Sequence, residues 1–209
     1  MEQGTEEWFN ARLGRVTASK VQDIVARTKT GYAASRDNYL AQIICERLTG
    51  KAPESFPNAA MTHGTETEPL ARAAYEMARN VLVDEIGFVQ HPTLMAGASP
   101  DGMIGEDGLI EIKCPQSNTH IETLLNQKIP AKHLAQMTWQ MICTKRKWCD
   151  FISFDPRLPQ ELQMFIKRYP LDIDYANKLE HEVNLFLIEV DTVLIQLNQL
   201  KENNGKNNL

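Results

Sequence analysis

Asp101 in the turn Ser99-Pro100-Asp101-Gly102 is followed, ten residues on, by Glu111 in Leu109-Ile110-Glu111-Ile112-Lys113-Cys114. A strand sends successive side chains to opposite faces, so Glu111 and Lys113 share one face and Ile110, Ile112 and Cys114 the other. The Asp-Gly pair in the intervening Gly105-Glu106-Asp107-Gly108 is a hairpin signal. Folding back there brings Asp101 towards Glu111. Charges in so apolar a strand are costly unless they are paired or bound to metal. Two carboxylates and an ammonium at the end of a buried sheet form a divalent-cation site with a cation beside it, the groups needed to cut a phosphodiester. Magnesium takes hard oxygen ligands and is commonly held by one or two carboxylates. Asp101 and Glu111 supply these, the Ile112 carbonyl adds an oxygen, and Lys113 stands where it can orient or help deprotonate a water.

The rest of the chain reads as a frame for this segment. Its 209 residues suffice for one domain with a sizeable core. Residues 7–25 read as a short helix, a turn at Gly14 and a second helix, with Thr17 or Ser19 as its N-cap. Residues 26–36 read as an exposed basic loop, 37–49 as a helix with Leu40, Ile43, Ile44 and Leu48 inward, and 51–62 as a loop. A helix is expected from His63-Gly64-Thr65-Glu66-Thr67-Glu68-Pro69 to Arg79, with Leu70, Ala73, Ala74 and Met77 inward and Glu66 and Glu68 at its start. Strands are expected at 81–83, 88–89, 94–98 and 148–154, and a helix at 131–143 carries Gln136 and Gln140 one turn apart. A long helix is expected from about 174 to 200. The order predicts an α/β fold, a mixed sheet flanked by helices, in a single domain over 1–200 with a disordered polar tail at 201–209. No apolar run looks long enough to span a bilayer and no signal-peptide pattern opens the chain, so a cytoplasmic protein without a membrane partner is expected. Cysteines 45, 114, 143 and 149 form no CxxC pair and read as reduced thiols.

Net charge is −5, which by itself argues against a nucleic-acid partner. The distribution argues the other way. Arg12, Arg15, Lys20, Arg27, Lys29 and Arg36 share a stretch with only one acid, Asp23, and Lys128, Lys132, Lys145, Arg146 and Lys147 share one with none. Two basic islands around an acidic centre suit a groove that tracks phosphates towards metals. Arg12 and Arg15, just upstream of the hydroxyls of Thr17 and Ser19, form a candidate anion site.

Trp8-Phe9-Asn10-Ala11-Arg12-Leu13-Gly14, Val16-Thr17-Ala18-Ser19, Gly64 with Glu68 and Ala71-Arg72, Ser99-Pro100-Asp101-Gly102, Glu111-Ile112-Lys113-Cys114-Pro115, Ala135-Gln136 and Phe154-Asp155-Pro156-Arg157 occur in one order. As an ordered set they resemble the phage-recombination alkaline exonucleases, of which lambda exonuclease is the best-known member. The resemblance implies a restriction-endonuclease-like core of the PD-(D/E)XK type. It implies metal ligation by Asp101, Glu111, the Ile112 carbonyl and Glu68, with Glu68 favoured over Glu66. Lys113 matches the catalytic lysine, and Gln136 a glutamine lining the site. Arg12, Ser19 and Ser99 match residues that grip a 5′-phosphate, and the 26–36 segment, with Arg27 and Lys29, matches one that lies along the duplex, with Arg15 nearby. The implied cofactor is Mg²⁺, replaceable by Mn²⁺, two per site. The implied activity is processive 5′→3′ digestion of one strand of linear double-stranded DNA by a homotrimeric ring, in partnership with a single-strand annealing protein, in a phage-infected bacterium. An endonuclease of the same fold, and a catalytically dead DNA clamp recruiting an annealing protein, are the alternatives.

Overall fold

The computed structural model describes residues 2–53 and 58–207. The chain begins with α1 (Glu6–Arg12), β1 (Val16–Thr17), a 3₁₀ turn (Ala18–Lys20), α2 (Val21–Val25) and the strands β2 (Arg27–Thr28) and β3 (Gly31–Tyr32). Two longer helices follow, α3 (Ala34–Thr49) and α4 (Ala59–Arg79). Then come β4 (Val89–Gln90), β5 (Ala96–Ala98), β6 (Gly102–Ile104) and β7 (Gly108–Lys113). The remainder is α5 (Ser117–Asn126), α6 (Leu134–Thr144), β8 (Trp148–Phe154), β9 (Met164–Pro170) and α7 (Ile173–Asn207). Local chemistry sets several boundaries. The Thr5 side chain accepts from the Trp8 N–H to start α1, Asn58 accepts from the Met61 N–H to start α4, and Gly50 ends α3 in the left-handed conformation.

The main sheet has the order β6-β7-β8-β9, antiparallel at both margins and parallel between β7 and β8. The β6–β7 hairpin turns at Gly105, whose φ of +51° suits a residue without a Cβ. Pairing runs Gly102 opposite Ile110 and Ile104 opposite Gly108. The expected alternation of β7 divides two cores. Ile110 and Ile112 pack with Ala71 and Tyr75 of α4, while Leu109 packs with Met137 and Met141 of α6. Glu111 and Lys113, on the α6 face, stand opposite Phe151 and Ser153 of β8.

A smaller sheet, β1-β5-β4, joins the N-terminal helices to α6 and α7 through a third core that includes Val16, Tyr39, Ile43, Trp139 and Phe186. Burial of each large apolar side chain there contributes roughly 1.5–3 kcal/mol. This core seats the 3₁₀ turn bearing Ser19 beside the strand that leads to Ser99.

Several expectations change. Helix α4 starts at Ala59, so Glu66, Glu68 and Pro69 lie inside it. Its buried stripe is Thr67, Ala71 and Tyr75 with Ala74 beside it; Leu70 and Met77 are 57% and 86% exposed. The rotation is set across elements, because the Tyr75 hydroxyl donates to the buried Asp150 carboxylate at 2.8 Å. Leu48 of α3 is likewise exposed. Residues 26–36 hold the β2–β3 hairpin rather than an irregular loop. The segment at 81–83 is not a strand; only Asp84 pairs, with Met103. Helix α7 runs past Leu200 to Asn207, across most of the expected tail, and residues 208–209 lie outside the described residues. By length and composition α7 is long and apolar enough to cross a membrane, contrary to expectation. Its Leu179, Val183, Phe186 and Val190 are nonetheless buried in the third core.

Candidate active site

The hairpin builds the acidic centre. Asp101 lies one residue before the Gly102–Ile110 pair, which sets it beside Glu111. The Ile112 N–H donates to Asp101 Oδ2 at 2.6 Å. Glu111 is fully buried, and its two oxygens have different surroundings. Oε2 accepts from Gln140 Nε2 at 2.6 Å. Oε1 is in ion-pair contact with Lys113 Nζ. From α4, Glu68 is held at 2.7 Å by Arg72 one turn on. Glu66 is exposed, whereas Glu68 lines the cavity beside the acids.

The electrostatics are those of an anionic cluster short of positive charge. Loss of hydration, then the charge of Glu111, holds the Asp101 carboxyl well above its ordinary range, against the pull of Lys113. Burial raises Glu68 as well; Arg72 opposes this and Glu111 reinforces it. Burial pulls Lys113 down, but the charges of Glu111 and Asp101 outweigh it and keep the ammonium charged. Among the described residues no three His, Cys, Asp or Glu side chains form a preassembled ligand cluster. Mg²⁺ is commonly held by one or two carboxylates and water. Asp101, the Oε1 of Glu111 beside Lys113 and the Ile112 carbonyl fit that need, with Glu68 near enough to act on Asp101.

A cavity of about 540 Å³ opens on this centre, lined by Glu68, Ile112, Lys113, Phe151, Ser153, Lys132 and His133 among others. His133 stacks on Phe151 and is pushed down to about 4 by burial, Lys113 and Lys132, so it is neutral near pH 7. Ser153 is joined to the fully buried His120 at 2.7 Å.

A second cavity, about 160 Å³, is lined by Trp8, Arg12, Ser19, Ser99 and Gln136 with Gln3, Thr17 and Ala18. The three expected phosphate-gripping residues therefore do meet. The Arg12 guanidinium sits over the Trp8 ring, 3.7 Å from its centroid, and the Trp8 indole N–H donates to Ser99 Oγ at 2.8 Å. Thr17 stands at the N-cap of the 3₁₀ turn without a side-chain capping bond, and Lys20 rather than Ser19 stands at that of α2; the Thr17 and Ser19 hydroxyls are 3.4 Å apart and both residues line the cavity. With α2 only five residues long, the cavity is furnished by side chains rather than by a helix terminus. Gln136 belongs to this cavity, whereas Gln140, one turn further along α6, contacts Glu111. The sequence placed the two glutamines on one helix face but offered no means of telling which reaches the acid. His120 and Ser153 carried no signal of their partnership.

The proposed duplex contacts are less free than the sequence implied. Arg15 lines a neighbouring cavity with Arg12, Ser19 and Lys20. Arg27 is paired with Glu182 of α7 at 3.0 Å, and the Tyr32 hydroxyl donates to the same carboxylate. Arg36 is buried against Glu189. Lys29 stays exposed at the hairpin tip. The second island splits between the two ends of α6: Lys132 borders the large cavity, whereas Arg146 and Lys147 bind the β6–β7 turn.

A family model described as a YqaJ-like viral recombinase domain matches residues 7–147. No curated protein matches the chain. Among solved structures, the alkaline exonuclease LHK-Exo from Laribacter hongkongensis is 48% identical over 95% of this chain and 99% of its own, with a TM-score of 0.89. LHK-Exo in complex with dAMP gives the same identity and coverage and a TM-score of 0.90. A phage-related exonuclease from Haemophilus somnus 129PT, 14% identical over 88% of this chain and 96% of its own with a TM-score of 0.72, shares the fold. The architecture is the expected restriction-endonuclease-like one.

Proposed function

The chain belongs to the YqaJ-like viral recombinase family, and on that premise we propose that it is a Mg²⁺-dependent exonuclease that digests one strand of linear duplex DNA from its 5′ end. The observation that carries the reading is the covalent link between the smaller cavity and the acidic centre. Ser99 lines the anion cavity, and two residues later Asp101 stands in the acidic centre. A terminal phosphate seated against Arg12, Ser19 and Ser99 would register the adjoining phosphodiester near Asp101, Glu111 and Lys113.

Asp101, Glu111 and the Ile112 carbonyl would hold the cation, with Glu68 facing them, and Mn²⁺ is a suitable replacement for Mg²⁺. A pair of ions held there would supply charge to offset the developing phosphate charge and a water of lowered pKa. Lys113 keeps its ammonium between the acids and the cavity, where it orients the attacking water and offsets phosphate charge. Gln136, on the anion-cavity wall, contributes to placing the strand end. Arg15, Arg27 and Lys29 would bear on the duplex backbone, Arg27 after exchanging Glu182 for phosphate. A homotrimeric ring would support processivity, and Leu70, Met77 and Leu82, all mostly exposed, offer apolar surface for subunit contact. The 3′ overhang left behind suits a single-strand annealing protein in the cytoplasm of a phage-bearing host.

The deciding assay is nucleotide release from 5′-phosphorylated linear duplex with and without Mg²⁺, beside closed circular duplex. Release from the linear substrate alone, abolished in K113A, is the expected result. Cutting of the circle would replace this reading with an endonuclease, and release by neither protein would leave a DNA clamp.

A further inference from the structure

Outside the residues already assigned, the group that bears most directly on the acidic centre is the buried Gln140. A carboxylate only accepts hydrogen bonds, so the amide nitrogen of Gln140 must face Glu111, as the 2.6 Å contact to Oε2 has it. Both residues are fully buried, so water cannot take over the donor's role. The amide oxygen of Gln140 is left without any partner. An unsatisfied buried carbonyl is an expense that packing alone gives no reason to keep. Meanwhile Glu111 Oε1 turns the other way, to the Lys113 ammonium, with which it is in ion-pair contact.

We propose that Gln140 is a positioning residue that divides the oxygens of Glu111, tying Oε2 to α6 and turning Oε1, beside the Lys113 ammonium, towards the place a divalent cation would take. This inference rests on the reading of Asp101 and Glu111 as cation-holding acids. The hydrogen bond fixes the carboxylate's rotation about its last torsion, which is soft in a free glutamate. Outer partners of this kind typically change metal affinity ten- to a hundredfold when removed.

The test is Mn²⁺ uptake by the metal-free, DNA-free protein, followed by the paramagnetic resonance of unbound Mn²⁺. Q140M keeps the length of the side chain and removes the donor; Q140L serves if Q140M does not fold. The expected result is a dissociation constant raised about tenfold, with binding of 5′-phosphorylated duplex in chelator unchanged. Unchanged Mn²⁺ affinity in a folded variant, with only the metal-free melting temperature lowered, would overturn the proposal and make Gln140 a packing residue. A parent protein that takes up no Mn²⁺ would overturn the cation reading and this inference together.

Discussion

The Ile112 amide reaches across the hairpin to the Asp101 carboxylate at 2.6 Å, so the backbone that offers one candidate ligand also aims another. In D101N the amide oxygen can accept the same bond, and the turn is kept. The variant sheds a buried charge that desolvation and Glu111 both disfavour. Its metal-free melting temperature should equal or exceed the parent's by differential scanning fluorimetry. Its rate of nucleotide release should fall on the order of 10³-fold, the scale of losing a preorganised electrostatic group.

Arg12, Trp8 and Ser99 form one stacked and hydrogen-bonded unit. R12A should lower the rate on 5′-phosphorylated ends by about tenfold or more and leave 5′-hydroxyl ends nearly unaffected, since a charge-assisted contact to phosphate is lost. Q136A should follow R12A in end preference rather than K113A in overall loss, because Gln136 lines the same cavity. Competition between the two end types in one reaction measures both.

Glu182 occupies Arg27 in the free protein. E182Q removes that competitor, so binding of duplex in chelator should tighten by about two- to fivefold at low salt. The gain should fade as salt is raised, as screening of exposed charges demands. Unchanged affinity at every salt concentration would remove Arg27 from the duplex contacts.

Burial raises the Asp155 carboxyl, but hydrogen bonds from Arg157 and Ser117 prevail and hold it down at about 2. Its ordinary value is 3.8, so the folded form binds protons less readily than the unfolded one. The resulting stabilisation is complete above pH 3.8 and is lost as the pH falls from there towards 2. Arg157 also donates to the Pro115 carbonyl, just beyond Lys113, and so ties the end of β7 to that of β8. R157A should melt at a lower temperature than the parent at pH 7, with the difference shrinking below pH 3.8 in thermal scans across pH.

On α4, Leu70 and Met77 are two turns apart on one exposed face, and Leu82 follows beyond the helix end. If this surface holds subunits together, M77E/L82E should elute as a monomer by light scattering while keeping its circular dichroism. An unchanged mass would place the contact elsewhere.

The acidic centre was legible before any fold was known, because its parts are near in sequence and governed by short-range rules. A period of two sent Glu111 and Lys113 to one face, and the turn after β6 returned Asp101 to them, although its left-handed residue is Gly105 and Gly108 of the Asp-Gly pair already lies in β7. Only the tertiary structure decided which distant groups join. One turn along α6 separates Gln136 in the anion cavity from Gln140 on Glu111, and that choice depends on how the helix is rotated against the sheet. The stripe of α4 turned on the Tyr75–Asp150 bond, and the fate of Arg27 and Arg36 on acids some 150 residues away in α7. Strand alternation and turn chemistry act between neighbours in the chain, so the sequence by itself determined the Asp101–Glu111–Lys113 hairpin. Helix rotation and charge pairing are settled by whatever surface lies opposite, and that surface exists only once the chain has folded.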